Sequence, residues 1–215
     1  NPNLSGYLVL QGQSVPIVMI NARYPELECP SVQLDDEAGG FKATVHLIEL
    51  GHRRIAGFFK TDDLQGVNRL KGFLRAHFER RISVDPELIV RYDTEGKFDT
   101  PLKEAARLLA RKERPTAFIC YNDELAVRML DVVRDAGLSV PDDLSLVGYD
   151  DSFLATATEV KLTTIVHPQA RMGEQAADML LKMIEQPRDL HVVRSIVHTP
   201  ELVVRQSTRR IAADG

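Results

Sequence analysis

Short apolar runs punctuate the chain at residues 16–20, 54–59, 88–92, 116–121 and 144–149. Runs this continuous suit strands buried on both faces rather than strands with one wet face. They recur about every 30 residues, the length of a strand plus its crossover helix. Between them, apolar positions fall at helical spacing: Phe41, Thr44, Val45 and Ile48; Leu102, Ala105, Ala106 and Leu109; Ala126, Met129, Leu130 and Val133. Strand and helix alternate, which predicts an α/β fold built on open parallel sheets.

The punctuation agrees. Gly51 and Gly137 stand where left-handed helix caps are expected, and Asn122-Asp123 can cap the helix leaving the 116–121 strand. After Tyr149 the rhythm changes. Residues 150–161 are irregular, 162–166 read as a β-branched strand, and an amphipathic helix carries Met172, Ala176, Met179, Leu180 and Met183. Residues 192–197 and 202–205, separated by Thr199-Pro200, then read as two closing strands. No solenoid repeat, low-complexity tract or long linker interrupts this order.

Composition narrows the class. The 215 residues are 44% hydrophobic and 27% charged, enough to bury a core and too many for one small domain. One large domain or two lobes are the options. A net charge of −4 supplies no global field for nucleic acid or an anionic membrane. Cys29 and Cys120 lie 91 positions apart, without zinc-ligand spacing, as expected of a protein of reducing cytosol. No run approaches the apolar length of a membrane span. The start at Asn1, without Met, leads us to expect an amino terminus cut from a longer chain.

Ligands of open parallel sheets sit outside the carboxyl ends of the strands. Polar residues gather there: Lys60, Thr61, Asp62, Asp63 and Gln65; Asp93, Thr94 and Glu95; Asn122 and Asp123; Asp150 and Asp151. This inventory of donors and acceptors, with few aromatics, suits a polyhydroxylated ligand. Each residue taken singly reads equally as a helix cap or turn. Nucleophile-elbow, Walker and dinucleotide-binding motifs are missing. His46 and His52 do not share a helix face. The pairs Asp35-Asp36, Asp62-Asp63, Asp142-Asp143 and Asp150-Asp151 could hold magnesium but read more simply as caps and turns. Arg53-Arg54 and Arg209-Arg210 read as solvated surface, and the methionines of the last helix as core or interface.

Several strings, in order, resemble the effector domains of lactose/galactose-repressor family regulators. They are Asp35-Asp36 with Gly39-Gly40, Gly51-His52 with Ile55, Arg69 with Gly72-Phe73, Asn122-Asp123 with Ala126, Gly148-Tyr149-Asp150-Asp151, and Leu162-Thr163-Thr164. Others, including Cys120-Tyr121-Asn122-Asp123-Glu124, His167-Pro168 and Pro200-Glu201-Leu202, are similar to the arabinose repressors, which join such a sensor to a winged-helix DNA-binding domain of the GntR type.

The resemblance implies a two-lobed type I periplasmic-binding-protein-like fold with three strand crossovers. Residues 1–60 and 165–190 would form an amino-terminal lobe, incomplete because the family's opening βαβαβ stretch is missing. Residues 61–164 and 191–208 would form the other, and the DNA-binding domain is absent from this chain. Arg69, Asn122 and Asp150 match the family's ligand-contact positions, and His167 falls where the third crossover reaches the cleft, as a contact or as a satisfied hinge histidine. Asp63 and Gln65 are weaker carry-overs. Thr94 stands where many members stack an aromatic, so contact there is expected to be polar, through Glu95. The implied ligand is a small sugar, L-arabinose first, bound without cofactor, metal or catalysis. The implied partners are a second copy, through residues 123–136 and 151–160, and operator DNA through the missing domain, in the cytoplasm and with no membrane. The rivals are a periplasmic sugar-binding protein of a transporter and an α/β enzyme acting on a sugar or phosphate.

Overall fold

The computed structural model describes residues 3–185 and 194–211. In chain order the elements are α1 (Ser5–Gly12), β1 (Met19–Ile20), β2 (Ser31–Leu34), α2 (Asp36–Glu49), β3 (Ile55–Lys60), α3 (Leu64–Glu79), β4 (Ile89–Tyr92), α4 (Thr100–Leu109), β5 (Ala117–Cys120), α5 (Asp123–Asp135), β6 (Ser145–Asp150), α6 (Leu154–Ala157), β7 (Thr163–Val166), α7 (Gln169–Glu185), β8 (Ile196–His198) and β9 (Glu201–Val203). They form two compact units, Asn1–Asp35 with Pro168–Thr199, and Asp36–His167 with Pro200–Gly215. The chain therefore passes between units three times.

The smaller unit holds a parallel sheet in the order β1-β2-β8. Helix α7 packs on it through Met172, Ala176, Met179 and Met183, the face its periodicity predicts. Strand β2 escapes the apolar-run criterion because Ser31 and Gln33 interrupt it. Ser31 is nonetheless fully buried, its N–H donating to the Ser195 hydroxyl at 3.0 Å.

The larger unit carries six strands in the order β4-β3-β5-β6-β7-β9, parallel except for the antiparallel pair β7–β9. Its central strands are buried on both faces, as continuous runs require. Ala56, Phe58, Phe118, Cys120 and Leu146 point toward Leu108, Ala126 and Met129 of α4 and α5, with the Phe58 and Phe118 rings edge to face at 5.0 Å. Phe59 turns the other way and meets Phe73 of α3 at 5.4 Å. Gly51 (φ 102°) and Gly137 (φ 73°) occupy the left-handed positions after α2 and α5.

Four expectations change. The 16–20 run yields only two strand residues, because this strand is an edge and Ile20 is 47% exposed. The 88–92 strand is also an edge, with Arg91 exposed. Residues 191–208, expected in one lobe, are divided at Thr199/Pro200: β8 joins the first unit and β9 the second. Residues 192–193 lie outside the described residues. The amino-terminal boundary falls after Asp35 rather than at residue 60, because β3 is hydrogen-bonded between β4 and β5, and α2 packs along α3.

That last contact depends on two glycines. A Cβ on Gly40 would lie 2.2 Å from the Arg69 carbonyl oxygen, and one on Gly72 would lie 2.0 Å from the Glu37 carbonyl oxygen. Both obstacles are backbone, so the helices cross at a separation only glycine permits.

Residues 205–211 run along the amino ends of β5, β6 and β7. Ser207 reaches between β6 and β7, its hydroxyl donating to the Leu146 carbonyl oxygen at 2.5 Å and accepting from the Thr163 N–H at 2.8 Å. His52, 1% exposed and beyond the end of α2, is held by the Thr116 hydroxyl at 2.9 Å, the Ser145 hydroxyl at 3.0 Å and the Arg209 carbonyl oxygen at 3.2 Å. Burial lowers its pKa to about 4, so the folded ring is neutral. An unfolded histidine titrates near 6.5, so stability held by the neutral ring is complete above that pH and drains away as pH falls toward 4. Urea denaturation across this window should show a loss on the order of 3 kcal/mol from this ring. His52→Gln should be less stable at pH 7 and should flatten that part of the profile.

Candidate functional site

Helix α3 starts at Asp63, whose Oδ1 accepts from the Gly66 N–H at 2.7 Å as an N-cap. Two turns later the helix presents Arg69, 4% exposed, to the carboxyl ends of β5 and β6. The close α2–α3 crossing brings Asp36, in the first turn of α2, to the same point. Arg69 Nε donates to Asp36 Oδ1 at 2.8 Å, Nη1 to the Tyr121 carbonyl oxygen at 2.5 Å, and Nη2 lies 3.9 Å from Asp150 Oδ1. The guanidinium carbon stands 3.5 Å from the Tyr149 ring centroid and 4.7 Å from that of Tyr121. Burial works against the Arg69 charge, but the Asp36 carboxylate, together with Tyr149, Asp150 and Tyr121, outweighs it and raises the pKa above the ordinary arginine value. The result is a permanent cation with a fixed orientation.

Asp150 ends β6 with φ 105°, and Asp151 follows at φ 48°. Consecutive left-handed non-glycine residues cost on the order of 1–3 kcal/mol each, so the surroundings must impose the turn. Its consequence is placement: the Asp150 carboxylate, 23% exposed, faces both Arg69 and His167, whose Nδ1 is 3.6 Å away. The His167 N–H also donates to the Asp150 carbonyl oxygen at 3.2 Å. Arg69, Asp150 and His167 are thus brought together.

Asn122 caps α5 through Oδ1, which accepts from the Leu125 N–H at 2.9 Å. It also lines a pocket of about 190 Å³ with Lys60, Tyr92, Lys97, Phe98, Tyr121 and Arg128. The capping and ligand readings of Asn122 are therefore compatible. Asp63 is more fully occupied, because its Oδ2 accepts from the Tyr121 hydroxyl at 2.7 Å and pairs with Lys60 Nζ at 2.9 Å. It organises the pocket wall. Gln65 is half-buried in the first turn of α3. Glu95 is exposed and does not line the pocket; the same loop delivers Lys97 and Phe98 instead.

The expectation of few aromatics is also corrected. Tyr92, Phe98 and Tyr121 line the pocket, and the Tyr149 ring lies against Arg69. Among the described residues no group of three or more His, Cys, Asp or Glu is gathered for a metal ion. The aspartate pairs have other work: Asp62 accepts from the Thr94 N–H at 2.9 Å, Asp143 from the Ser139 N–H at 3.0 Å, and Asp142 pairs with Arg209 at 3.4 Å. Asp123 is 1% exposed, and burial raises its carboxyl to about 6.

Comparison with known proteins bears on this arrangement. The family model of periplasmic binding protein-like domains matches residues 44–208. The arabinose metabolism transcriptional repressor of Geobacillus stearothermophilus is 59% identical over 213 residues, which are 98% of this chain and 58% of that protein. The repressor of the same description from Halalkalibacterium halodurans is 52% identical over 212 residues, 97% of this chain and 56% of that protein. The chain thus spans little more than half the length of these relatives. Among solved structures, a LacI family transcriptional regulator from Enterococcus faecium with bound ribose superposes with a TM-score of 0.84 at 27% identity, over 97% of this chain and 77% of that one.

A consequence of the buried pair can be measured. Removing Arg69 strands Asp36 as an unpaired charge at 7% exposure, which should cost about 3–5 kcal/mol. Arg69→Ala is expected to lower the urea midpoint sharply. The double replacement Arg69→Met with Asp36→Leu should recover much of that loss, since it leaves no charge unpaired.

Proposed function

Because the chain belongs to the family of periplasmic binding protein-like domains, we propose that it is the effector-sensing part of a transcriptional repressor and that its effector is a small sugar, L-arabinose first. The observation that carries this reading is the juxtaposition of Arg69 with the accessible Asp150 carboxylate and His167 at the carboxyl ends of the strands. The names of the arabinose repressors, 59% and 52% identical, support the choice of sugar.

The chemistry fits hydroxyl recognition. Asp150 accepts from vicinal hydroxyls, Arg69 donates in a fixed direction, and Asn122 serves hydroxyls that do both. His167 closes the set as donor or acceptor according to tautomer. Asp63, through Lys60 and Tyr121, keeps the wall in place, and Phe98 offers an apolar face for the sugar carbons. Gln65 lies two residues after Asp63 in the first turn of α3. Glu95 contributes only if its loop moves.

A sensor of this kind acts by differential affinity. Sugar favours one arrangement of the domain, DNA another, and linkage makes the effect reciprocal, typically 5–150-fold. The DNA-reading domain belongs to the part of the protein beyond this chain, and the whole works in the cytoplasm. A second copy is expected against α5 and residues 151–160. A groove of about 410 Å³ there, lined by Val127, Leu130 and Val140 with Asp131, Arg134 and Glu159 beside them, supports a contact of mixed apolar and charged character. The reading includes no catalysis and no cofactor or metal.

Calorimetric titration of the full-length protein with L-arabinose should give saturable heat, with the sugar recovered unchanged. Asp150→Ala should weaken the sugar about ten- to hundredfold, the value of a charged hydrogen-bond partner. In operator-release assays the same variant should need proportionately more sugar. No heat with any pentose or hexose would overturn the assignment, and turnover of sugar would mark an enzyme.

A further inference from the structure

The turn that aims Asp150 does not hold itself. Two consecutive residues, Asp150 and Asp151, have positive φ, and the carboxylate reaches Arg69 and His167 only from that backbone geometry. Two residues distant in sequence grip it. Asp123, the first residue of α5, is buried with Oδ2 accepting from the Ser152 N–H at 2.8 Å and the Ser152 hydroxyl at 3.1 Å, while Oδ1 accepts from the Thr164 hydroxyl at 2.7 Å. The carboxyl approaches β6 closely, since a Cβ at Gly148 would stand 2.2 Å from Asp123 Oδ1. From the other side Arg205, which follows β9, donates through Nη2 to Asp151 Oδ1 at 2.6 Å and through Nη1 to the Leu162 carbonyl oxygen at 2.9 Å. Its own N–H donates to the Thr163 hydroxyl at 3.0 Å.

We propose that Asp123 and Arg205 are positioning residues of the sugar site, which clamp the Asp150–Asp151 turn so that the Asp150 carboxylate faces the ligand. Neither needs to touch sugar. The proposal rests on the sugar-sensor reading and specifies how that site keeps its geometry. With the Ser152 N–H released or the Asp151 carboxylate freed, the turn relaxes toward negative φ and the Asp150 side chain leaves Arg69. Affinity then falls because preorganisation is lost, with every proposed ligand contact residue still present. Asparagine at position 123 keeps the arrangement, because its carbonyl oxygen accepts from Ser152 and its amide donates to the Thr164 hydroxyl, which can accept.

The test is calorimetric titration of the full-length protein and its variants with L-arabinose, alongside thermal melts. Asp123→Ala is expected to weaken binding about tenfold or more, and Asp123→Asn to restore it to within about threefold of the parent. Arg205→Met, at a part-exposed position, should weaken binding several-fold. The double variant Asp123→Ala with Arg205→Met should lose less than the product of the two, since both act on one turn. A merely structural role would lower the melting temperature and leave affinity unchanged, which would overturn the inference. Should Asp123→Ala fail to fold, Arg205→Met decides alone, and parental affinity for it overturns the proposal. Absence of binding by the parent would overturn the sensor reading and this inference together, whereas a binding parent with unaffected variants would overturn only the inference.

Discussion

The buried pair of Asp36 and Arg69 is the constraint on which the rest of the larger unit turns. A guanidinium at 4% exposure is tolerable only because each face and edge of it is answered: the Asp36 carboxylate, the Tyr121 carbonyl oxygen, and the rings of Tyr149 and Tyr121. Those partners come from α2, the β5–α5 junction and the end of β6. One charge therefore ties three connections of the sheet to a common point. The same demand explains why Gly40 and Gly72 are glycines, since Asp36 reaches Arg69 only if the two helices nearly touch.

Around that anchor the polar residues sort by accessibility rather than by type. Asp36 and Asp123 are buried and spend their oxygens inside the protein, Asp63 spends its oxygens on the α3 cap, Tyr121 and Lys60, and Asp150 remains reachable. A carboxylate whose lone pairs are consumed by internal donors organises; one with lone pairs to spare recognises. This difference makes Asp150 the natural acceptor for a ligand and gives Asp123 the character of scaffold. Both belong to the strand-end polar residues, after β5 and at the end of β6.

Much of this architecture is legible in the residues. The continuous runs at 54–59, 116–121 and 144–149 mark central parallel strands because hydrophobic burial on two faces leaves no polar alternation. Asn122 and Asp150 are legible as site candidates because they follow those strands, and Arg69 is legible only through the resemblance of its string to the repressor family. Other features are hidden for physical reasons. Strand β2 is disguised by Ser31, a polar residue buried with its hydrogen bonds satisfied. The residues 196–198 and 201–203 look alike along the chain, yet they serve different sheets. The aromatics Tyr121 and Tyr149 read as core, and the Phe98 loop reads as polar turn.

What the sequence by itself determined is the class of fold, the positions of the central strands and the family to which the chain belongs, because periodicity, caps and ordered motifs are local properties. What only the tertiary structure decided is which residues meet. Asp36 and Arg69 are 33 positions apart, Asp123 and Thr164 are 41 apart, and Asp151 and Arg205 are 54 apart. Such pairings are fixed by strand order and helix crossing, which depend on packing across the whole unit. The division of the chain after Asp35, and the difference between a carboxylate that binds and one that braces, follow from the same cause.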